Sequence, residues 1–342
     1  MIAYDEGMWG SPFKNKSVLI TGGTGSFGRA MVAKLLEEDA CRKVIVFSRD
    51  EWKQWEMQQT SPIYTHKKIR YFLGSVRDLS RLKLACRNVD YIIHAAALKQ
   101  VPAAEYNPSE FVQTNIMGAM HVIEAAMYRN VDKVIALSTD KSVNPVNLYG
   151  ATKLCSDKLF IAGNSYVGER ATPKFSIVRY GNVLGSRGSI LPYWRQVIEE
   201  GATSLPLTDP EMTRFWITID QAVNFVHQSF SQMNGQEIFV PKNPSMKTKD
   251  LAEALSPGIK TETVGIREGE KLHESLISSE ESRYTFEYPD YYLLLPPVYG
   301  LPLKDRIKKH PGGGQLVPKG FAYTSDNNPN TLTVDQLRDL IK

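Results

Sequence analysis

Thr139-Asp140-Lys141, with Tyr149-Gly-Ala-Thr-Lys153 shortly after, brings a hydroxyl, a carboxylate, two amines and a phenol into one stretch of chain. A tyrosine four residues before a lysine lies on the same helix face, so the ammonium can favour the phenolate. Free tyrosine titrates near ~10 and must shift down to act as a base at neutral pH. Such a base suits oxidation of an alcohol. Once one sugar carbon is a ketone, the proton on the next carbon is acidified and an amine such as Lys141 can remove it. An acid such as Asp140 can then protonate the departing hydroxyl. Lysine does this only if its pKa falls from ~10 through desolvation or a nearby cation, and Lys153 is one such cation. The stretch reads as redox chemistry followed by elimination. Spacing alone is weak evidence, because the chain has 16 tyrosines and Tyr64–Lys68 repeats the pattern without context.

Placement gives Tyr149 its meaning. Thr139 ends a strand-like run (KVIALS, 133–138), at the carboxyl edge where doubly wound sheets bind ligands. There its hydroxyl can share a substrate oxygen with Tyr149. Further β-rich runs occur at 17–21, 43–47, 68–73, 90–95 and 175–180. Helical patterns lie between them near 27–38, 78–87, 108–129 and 149–162. Near-continuous apolar strands alternating with helices predict a parallel sheet covered on both faces, an α/β Rossmann architecture. A helix near 219–232 and a strand near 236–240 return to that unit. The expected division is an extension at 1–15, a dinucleotide-binding domain at 16–180 plus about 219–241, and a smaller, irregular α/β substrate lobe with a tail at 181–218 and 242–342.

The run TGGTGSFG follows the first strand and opens the first helix. Gly23, Gly25 and Gly28 fit one dinucleotide-binding glycine pattern, and Gly22, Gly25 and Gly28 fit a related one. Side chains there would block backbone N–H groups from a pyrophosphate on the positive helix end. After the second strand stand Ser48, Arg49 and Asp50. Arg49 with Ser48 favours the 2′-phosphate of NADP, while Asp50 keeps NAD open. Asp78 after the third strand suits the adenine amino group or a helix cap.

Composition sets the outer bounds. The chain has 342 residues, 42% hydrophobic and 23% charged, with a net charge of 41 − 37 = +4. That charge is scattered and gives no case for nucleic acid. Cys41, Cys86 and Cys155 fit a reducing compartment, and Cys155 is expected to be packed. The six histidines form no ligand pattern, so no metal is expected. No apolar run reaches membrane-span length and no signal-like start is seen, so the cytoplasm is the expected location.

These residues resemble the extended short-chain dehydrogenase/reductases. More narrowly, they resemble the inverting UDP-N-acetylglucosamine 4,6-dehydratases (5-epimerising) of bacterial pseudaminic acid biosynthesis. The resembling segments are TGGTGSFG, HAAALKQVPAAEYNP (94–108), TNIMGA (114–119), STDKSVNPVNLYGATK (138–153), RYGNVLGSRGSILP (179–192), TDPEMTRFWIT (208–218) and GIREGEKLHE (265–274). Ser75 departs from the pattern, standing where many members carry aspartate.

The resemblance implies a bound NADP regenerated at each turnover. Its contacts would come from Thr21, Gly22, Gly23, Thr24, Gly25, Ser26, Phe27 and Gly28, and from Ser48, Arg49, Asp78, Ala95, Ala96 and Lys153. It implies oxidation at C4 by Tyr149 with Thr139, C5 deprotonation by Lys141, acid assistance at C6 by Asp140, and hydride return to C6. The product would be UDP-2-acetamido-2,6-dideoxy-β-L-arabino-hex-4-ulose. Nucleotide-sugar contacts are implied at Lys99, Asn182, Ser189, Thr208, Met212, Arg214, Arg267 and Glu270. A homo-oligomer associating through helices such as 108–129 and 149–162 is also implied. A 4-epimerase of the same superfamily would use Tyr149 and Lys153 without needing Asp140-Lys141. Related retaining dehydratases carry methionine at the Tyr149 position and have membrane helices.

Overall fold

The computed structural model describes residues 11–167, 172–298 and 302–341. Residues 1–10 of the expected extension lie outside the described residues. The remainder of it is not a loose arm. Phe13 is fully buried, 5.0 Å ring to ring from Phe230 and 5.9 Å from Tyr91.

Among the described residues the main sheet has ten strands. In chain order they are β1 (Ser17–Thr21), β2 (Lys43–Ser48), β3 (Ile69–Leu73), β4 (Tyr91–His94), β5 (Lys133–Thr139), β6 (Lys174–Tyr180), β7 (Ile238–Pro241), β8 (Thr285–Glu287), β9 (Tyr291–Leu294) and β10 (Gln315–Leu316). The spatial order is β10-β8-β9-β7-β6-β5-β4-β1-β2-β3. The strands from β7 to β3 run parallel, and β9, β8 and β10 continue the sheet antiparallel. The order reverses between β1 and β4, the switch point at which such sheets open a ligand crevice.

The strands are apolar along their length because helices cover both faces. On one face α1 (Ser26–Glu37) contributes Met31, Val32 and Leu35 to a core shared with Val223, Phe225 and Phe230 of the helix Ile219–Gln232. On the other, Leu82 and Ala85 of Leu79–Ala85 meet Val122 and Ile123 of Gly118–Tyr128, and Phe160 of Leu148–Gly163. Each such buried aliphatic or aromatic side chain stabilises the fold by ~1.5–3 kcal/mol.

Two features depart from the sequence reading. A helix, Glu51–Thr60, follows β2 where no helical pattern was expected; only Gln54 and Met57 are buried on it, and the Asp50 side chain caps it. Residues 242–342 do not belong wholly to the smaller lobe, because β8, β9 and β10 extend the main sheet. Tyr291–Leu294 is buried throughout and pairs directly with β7. The smaller lobe is built on Trp194, Leu205, Trp216, Met246, Leu251 and Leu337 around short two- and three-stranded sheets.

Candidate active site

The glycine-rich turn is shaped by close backbone approach. Gly22 has φ +68°, and a Cβ on it would stand 2.9 Å from the Ala96 backbone. A Cβ on Gly28 would lie 2.5 Å from Gly23 Cα, so α1 could not sit against the turn. Gly25 is the N-cap of α1 and no side chain caps the first turn, which leaves its N–H groups for an anion. Thr21 anchors the turn to the strand beside it. Its hydroxyl is 2.8 Å from His94 Nδ1 and accepts from Ala96 N at 3.3 Å, and Ala95 N donates to Thr21 O. Thr24 O accepts from Arg29 Nε, and Ser26 Oγ accepts from Arg187 N. Phe27 packs partly against the core.

At the end of β2 the two candidate ribose readers behave differently. Asp50 accepts from Lys53 N at 3.0 Å and pairs with Lys53 Nζ at 3.1 Å, turning it into the following helix. Arg49 is exposed, and the Ser48 hydroxyl accepts from Gln54 Nε2. Asp78 is a helix cap, accepting from Arg81 N at 2.9 Å.

The catalytic candidates meet at the carboxyl end of β5. Thr139 Oγ1 donates to Asp140 Oδ1 at 2.9 Å, and Lys141 Nζ donates to the same oxygen at 3.0 Å. Asn182 Oδ1 accepts from Lys141 Nζ at 3.2 Å. Asp140 is fully buried, and its Oδ2 has no hydrogen-bond partner. Tyr149 enters from the helix Leu148–Gly163, which Asn147 caps through Gly150 N at 2.7 Å. Asn115, in a π-helical turn (Val112–Met117), fixes the loop after β4. It bonds both Leu98 N and Leu98 O at 2.9 Å, and Thr152 Oγ1 at 3.0 Å.

The electrostatics correct two expectations. Tyr149 is not drawn toward a phenolate: burial pushes its pKa up to about 12, with the Lys141 charge and the Thr139 hydrogen bond opposing. Lys153 is not the cation that tunes it. Its ammonium donates to Leu137 O at 2.8 Å, and burial lowers its pKa against the Asp157 carboxylate. Burial disfavours the Lys141 ammonium too, but Asp140 and then Glu274 outweigh it and hold that amine above its ordinary value, despite the opposing Arg214 charge. Lys141 therefore rests as an ammonium. Lys99 is exposed, yet desolvation and the Lys141 charge hold its amine below its ordinary value.

The sugar-side candidates fall into two sets. Arg214 is buried and donates to Thr213 O, Leu272 O and Lys271 O, so backbone carbonyls fix it behind Lys141. Ser189 begins the helix Ile190–Glu199, and its Oγ is buried without a partner, as is Glu270 Oε2. The 265–270 loop docks beside Tyr149, Asn147 Nδ2 donating to Gly269 O at 2.7 Å. Arg267 is exposed, Met212 is buried and Thr208 is half-buried.

Sequence reasoning missed Lys271 and Glu274. Lys271 Nζ donates to Val143 O at 2.6 Å, and Glu274 Oε1 lies 3.6 Å from Lys141 Nζ. Both stand in the 265–274 segment, where the neighbouring Glu268 and Glu270 offered equal claims. Cys155, expected to be packed, is exposed. Among the described residues, no group of three or more His, Cys, Asp or Glu side chains could hold a metal, and no helix is long and apolar enough to cross a membrane.

The sequence profile of the polysaccharide biosynthesis protein family matches residues 18–296. The chain belongs to this family. It is 51% identical to the UDP-N-acetylglucosamine 4,6-dehydratase (inverting) of Campylobacter jejuni subsp. jejuni serotype O:23/36, over 96% of this chain and 98% of that one. It is 39% identical to the UDP-glucose 4-epimerase of Rickettsia bellii strain OSU 85-389, over 96% of each. The crystal structure of Pen from Bacillus thuringiensis matches with a TM-score of 0.85 at 35% identity, covering 96% of this chain and 98% of Pen. Relatives named dehydratase and epimerase thus match at similar coverage, the dehydratase at the higher identity.

Proposed function

We propose that the protein is a UDP-N-acetylglucosamine 4,6-dehydratase that inverts C5 and uses NADP. The observation that carries this reading is the Lys141–Asp140 contact, Nζ to Oδ1 at 3.0 Å, at the carboxyl end of β5 where the Lys141 charge acts on the Tyr149 phenol. An epimerase needs only a base at C4. A half-buried ammonium paired with a fully buried carboxylate beside that base supplies what elimination additionally requires. The 51% identity to an inverting dehydratase supports the same choice over the 39% identity to an epimerase.

The turn fits a dinucleotide: Gly22 and Gly28 admit no side chain, and the first turn of α1 is uncapped. Arg49, free of Asp50, supports NADP over NAD. NADP, when bound, would accept the C4 hydride, return it to C6 and add positive charge near the phenol. The protein's own groups move the protons. Tyr149 would first lose its own proton, favoured by the Lys141 charge, the Thr139 hydrogen bond and the positive charge of the bound cofactor, and as the phenolate would then take the C4 hydroxyl proton. The Lys141 ammonium passes a proton to Asp140, so one transfer creates both the amine base and the carboxylic acid. Lys141 then removes the C5 proton while Asp140 protonates the leaving C6 hydroxyl as water, which restores the resting pair, and once hydride is back on C6 a proton is delivered to the opposite face of C5. Lys99, Asn182, Ser189, Thr208, Met212, Arg214, Arg267 and Glu270 belong to the sugar-nucleotide side of this proposal. The exposed cations among them, Lys99 and Arg267, would match the diphosphate, whereas Arg214 is held by backbone carbonyls behind Lys141.

A reducing, cytoplasmic setting agrees with three unpaired thiols, Cys41, Cys86 and Cys155. Exposed Val112, Met120 and Tyr128 along one helical stretch support a homo-oligomer. Proton NMR of the reaction with UDP-N-acetylglucosamine in D₂O is the test. A new C6 methyl with deuterium at C5 and the L-arabino configuration is expected. C4 inversion with an intact C6 hydroxyl would sink the reading.

A further inference from the structure

Glu274 has no role in the chemistry above, yet it is the second carboxylate at Lys141. It is 2% exposed. Its Oε1 lies 3.6 Å from Lys141 Nζ and its Oε2 3.7 Å from Lys271 Nζ, and Oε2 has no hydrogen-bond partner. Burying a carboxylate this incompletely satisfied is costly, and a purely structural ion pair would be expected to close to hydrogen-bond distance.

The backbone around Glu274 is pinned from the tail. Glu274 N donates to Ser325 Oγ at 2.9 Å and Ser325 N donates to Glu274 O at 2.8 Å. Ser325 Oγ in turn lies 2.7 Å from Thr213 Oγ1, which is 2.8 Å from His273 Nδ1. The backbone that carries the carboxylate is thus held beside the strand pair Ser275–Ile277 with Tyr323–Thr324. The charged groups facing it are Lys141, Asp140, Arg214 and Lys271.

We propose that Glu274 is a positioning residue for Lys141, the lasting counter-ion that lets this amine become an ammonium during C5 deprotonation. The inference rests on the dehydratase reading. When Asp140 carries the proton destined for the C6 hydroxyl, it is neutral and no longer balances Lys141. The charge that then develops on Nζ faces Arg214 and Lys271. Glu274 is the carboxylate left to offset it, already in place before the charge appears. Burial raises the Glu274 carboxyl above its ordinary value, with Lys141 opposing. Falling pH therefore removes the counter-ion earlier than an ordinary carboxylate would allow.

The test is Glu274→Gln, with Glu274→Asp beside it. Deuterium entry at C5 from D₂O should fall on the order of 10²-fold in the Gln variant, more than C4 oxidation read at 340 nm. The acid limb of the C5 step should disappear from its pH profile. NMR titration of ¹⁵N-lysine-labelled protein, with the Lys141 signal assigned by its loss in Lys141→Arg, needs no substrate. There the Lys141 midpoint should drop by about one to three pH units in Glu274→Gln. If the Gln variant does not fold, Glu274→Asp carries the test, with a smaller shift in the same direction. An unmoved Lys141 midpoint, or equal losses at C4 and C5 with an unchanged pH profile, would overturn the proposal. Wild-type protein that makes no methyl product would sink the dehydratase reading instead, while the Lys141 midpoint still reports on Glu274.

Discussion

Gly150 lies directly against the Lys141 carbonyl oxygen: a Cβ on Gly150 would overlap that oxygen and come within 3.1 Å of Pro145 Cβ. The helix bearing Tyr149 and the turn bearing Lys141 are therefore in backbone contact, so neither can shift without the other. Gly150→Ala should force them apart, destabilising the protein by ~1–3 kcal/mol and displacing Lys141. Chemical denaturation should show the loss, and methyl-product formation should fall further than stability alone explains. An Ala variant of wild-type stability and rate would mean the contact yields freely.

The Lys141–Asp140 pair gives a second prediction. Lys141→Ala should abolish C6-methyl formation while calorimetry still detects cofactor binding. Asp140→Asn should lower the rate of elimination by on the order of 10²–10⁴-fold, because the amide cannot donate an acidic proton to the departing hydroxyl. Normal turnover in either variant would disprove its role as base or acid.

Much of this arrangement was legible because the sheet interior writes itself into the chain. Runs such as SVLIT (residues 17–21) are apolar throughout, since helices cover both faces. Glu51–Thr60 was invisible for the opposite reason: it buries only Gln54 and Met57, so no apolar period marks it. At the site, residues adjacent in sequence were found from their chemistry, the distant Asn182 and Arg214 only through the family resemblance, and the distant Glu274 not at all. Thr139, Asp140, Lys141 and Tyr149 share one stretch, whereas Glu274 reaches Lys141 only through the folded lobe, held there by Ser325. The direction of the Tyr149 shift also escaped the sequence, because spacing cannot show that Lys153 turns toward Leu137 O.

Cofactor choice makes a third prediction. Asp50 is occupied by Lys53 N and Nζ, while Arg49 is exposed at the same strand end. Arg49→Ala should weaken NADP by ~10–100-fold, the worth of a charge-assisted hydrogen bond, and leave NAD affinity nearly unchanged. Titration calorimetry with both dinucleotides reads the ratio directly. Equal loss for both would assign Arg49 to general electrostatics rather than to the 2′-phosphate.

Acid stability supplies the fourth. Burial alone would raise Glu38, but the hydrogen bond and charge of His227, together with Ser11 and Lys34, bring its pKa down to about 2 from 4.5. Ser11 Oγ donates to Glu38 Oε2 at 2.9 Å, beside the buried Phe13, so this carboxylate fastens the 11–15 segment to the helix Ile219–Gln232. A carboxyl depressed in the folded state contributes stability that is fully present above its unfolded pKa and fades as pH falls through the folded one. Discounted for solvent screening at this partly exposed carboxylate, the expected loss is on the order of 1 kcal/mol between pH 4.5 and about 2. Glu38→Gln should be less stable at pH 7 and should flatten the stability curve over that window. Urea denaturation at a series of pH values, followed by the fluorescence of the chain's five tryptophans, measures it. Parallel curves for the variant and the wild type would show that Glu38 does not couple folding to acid.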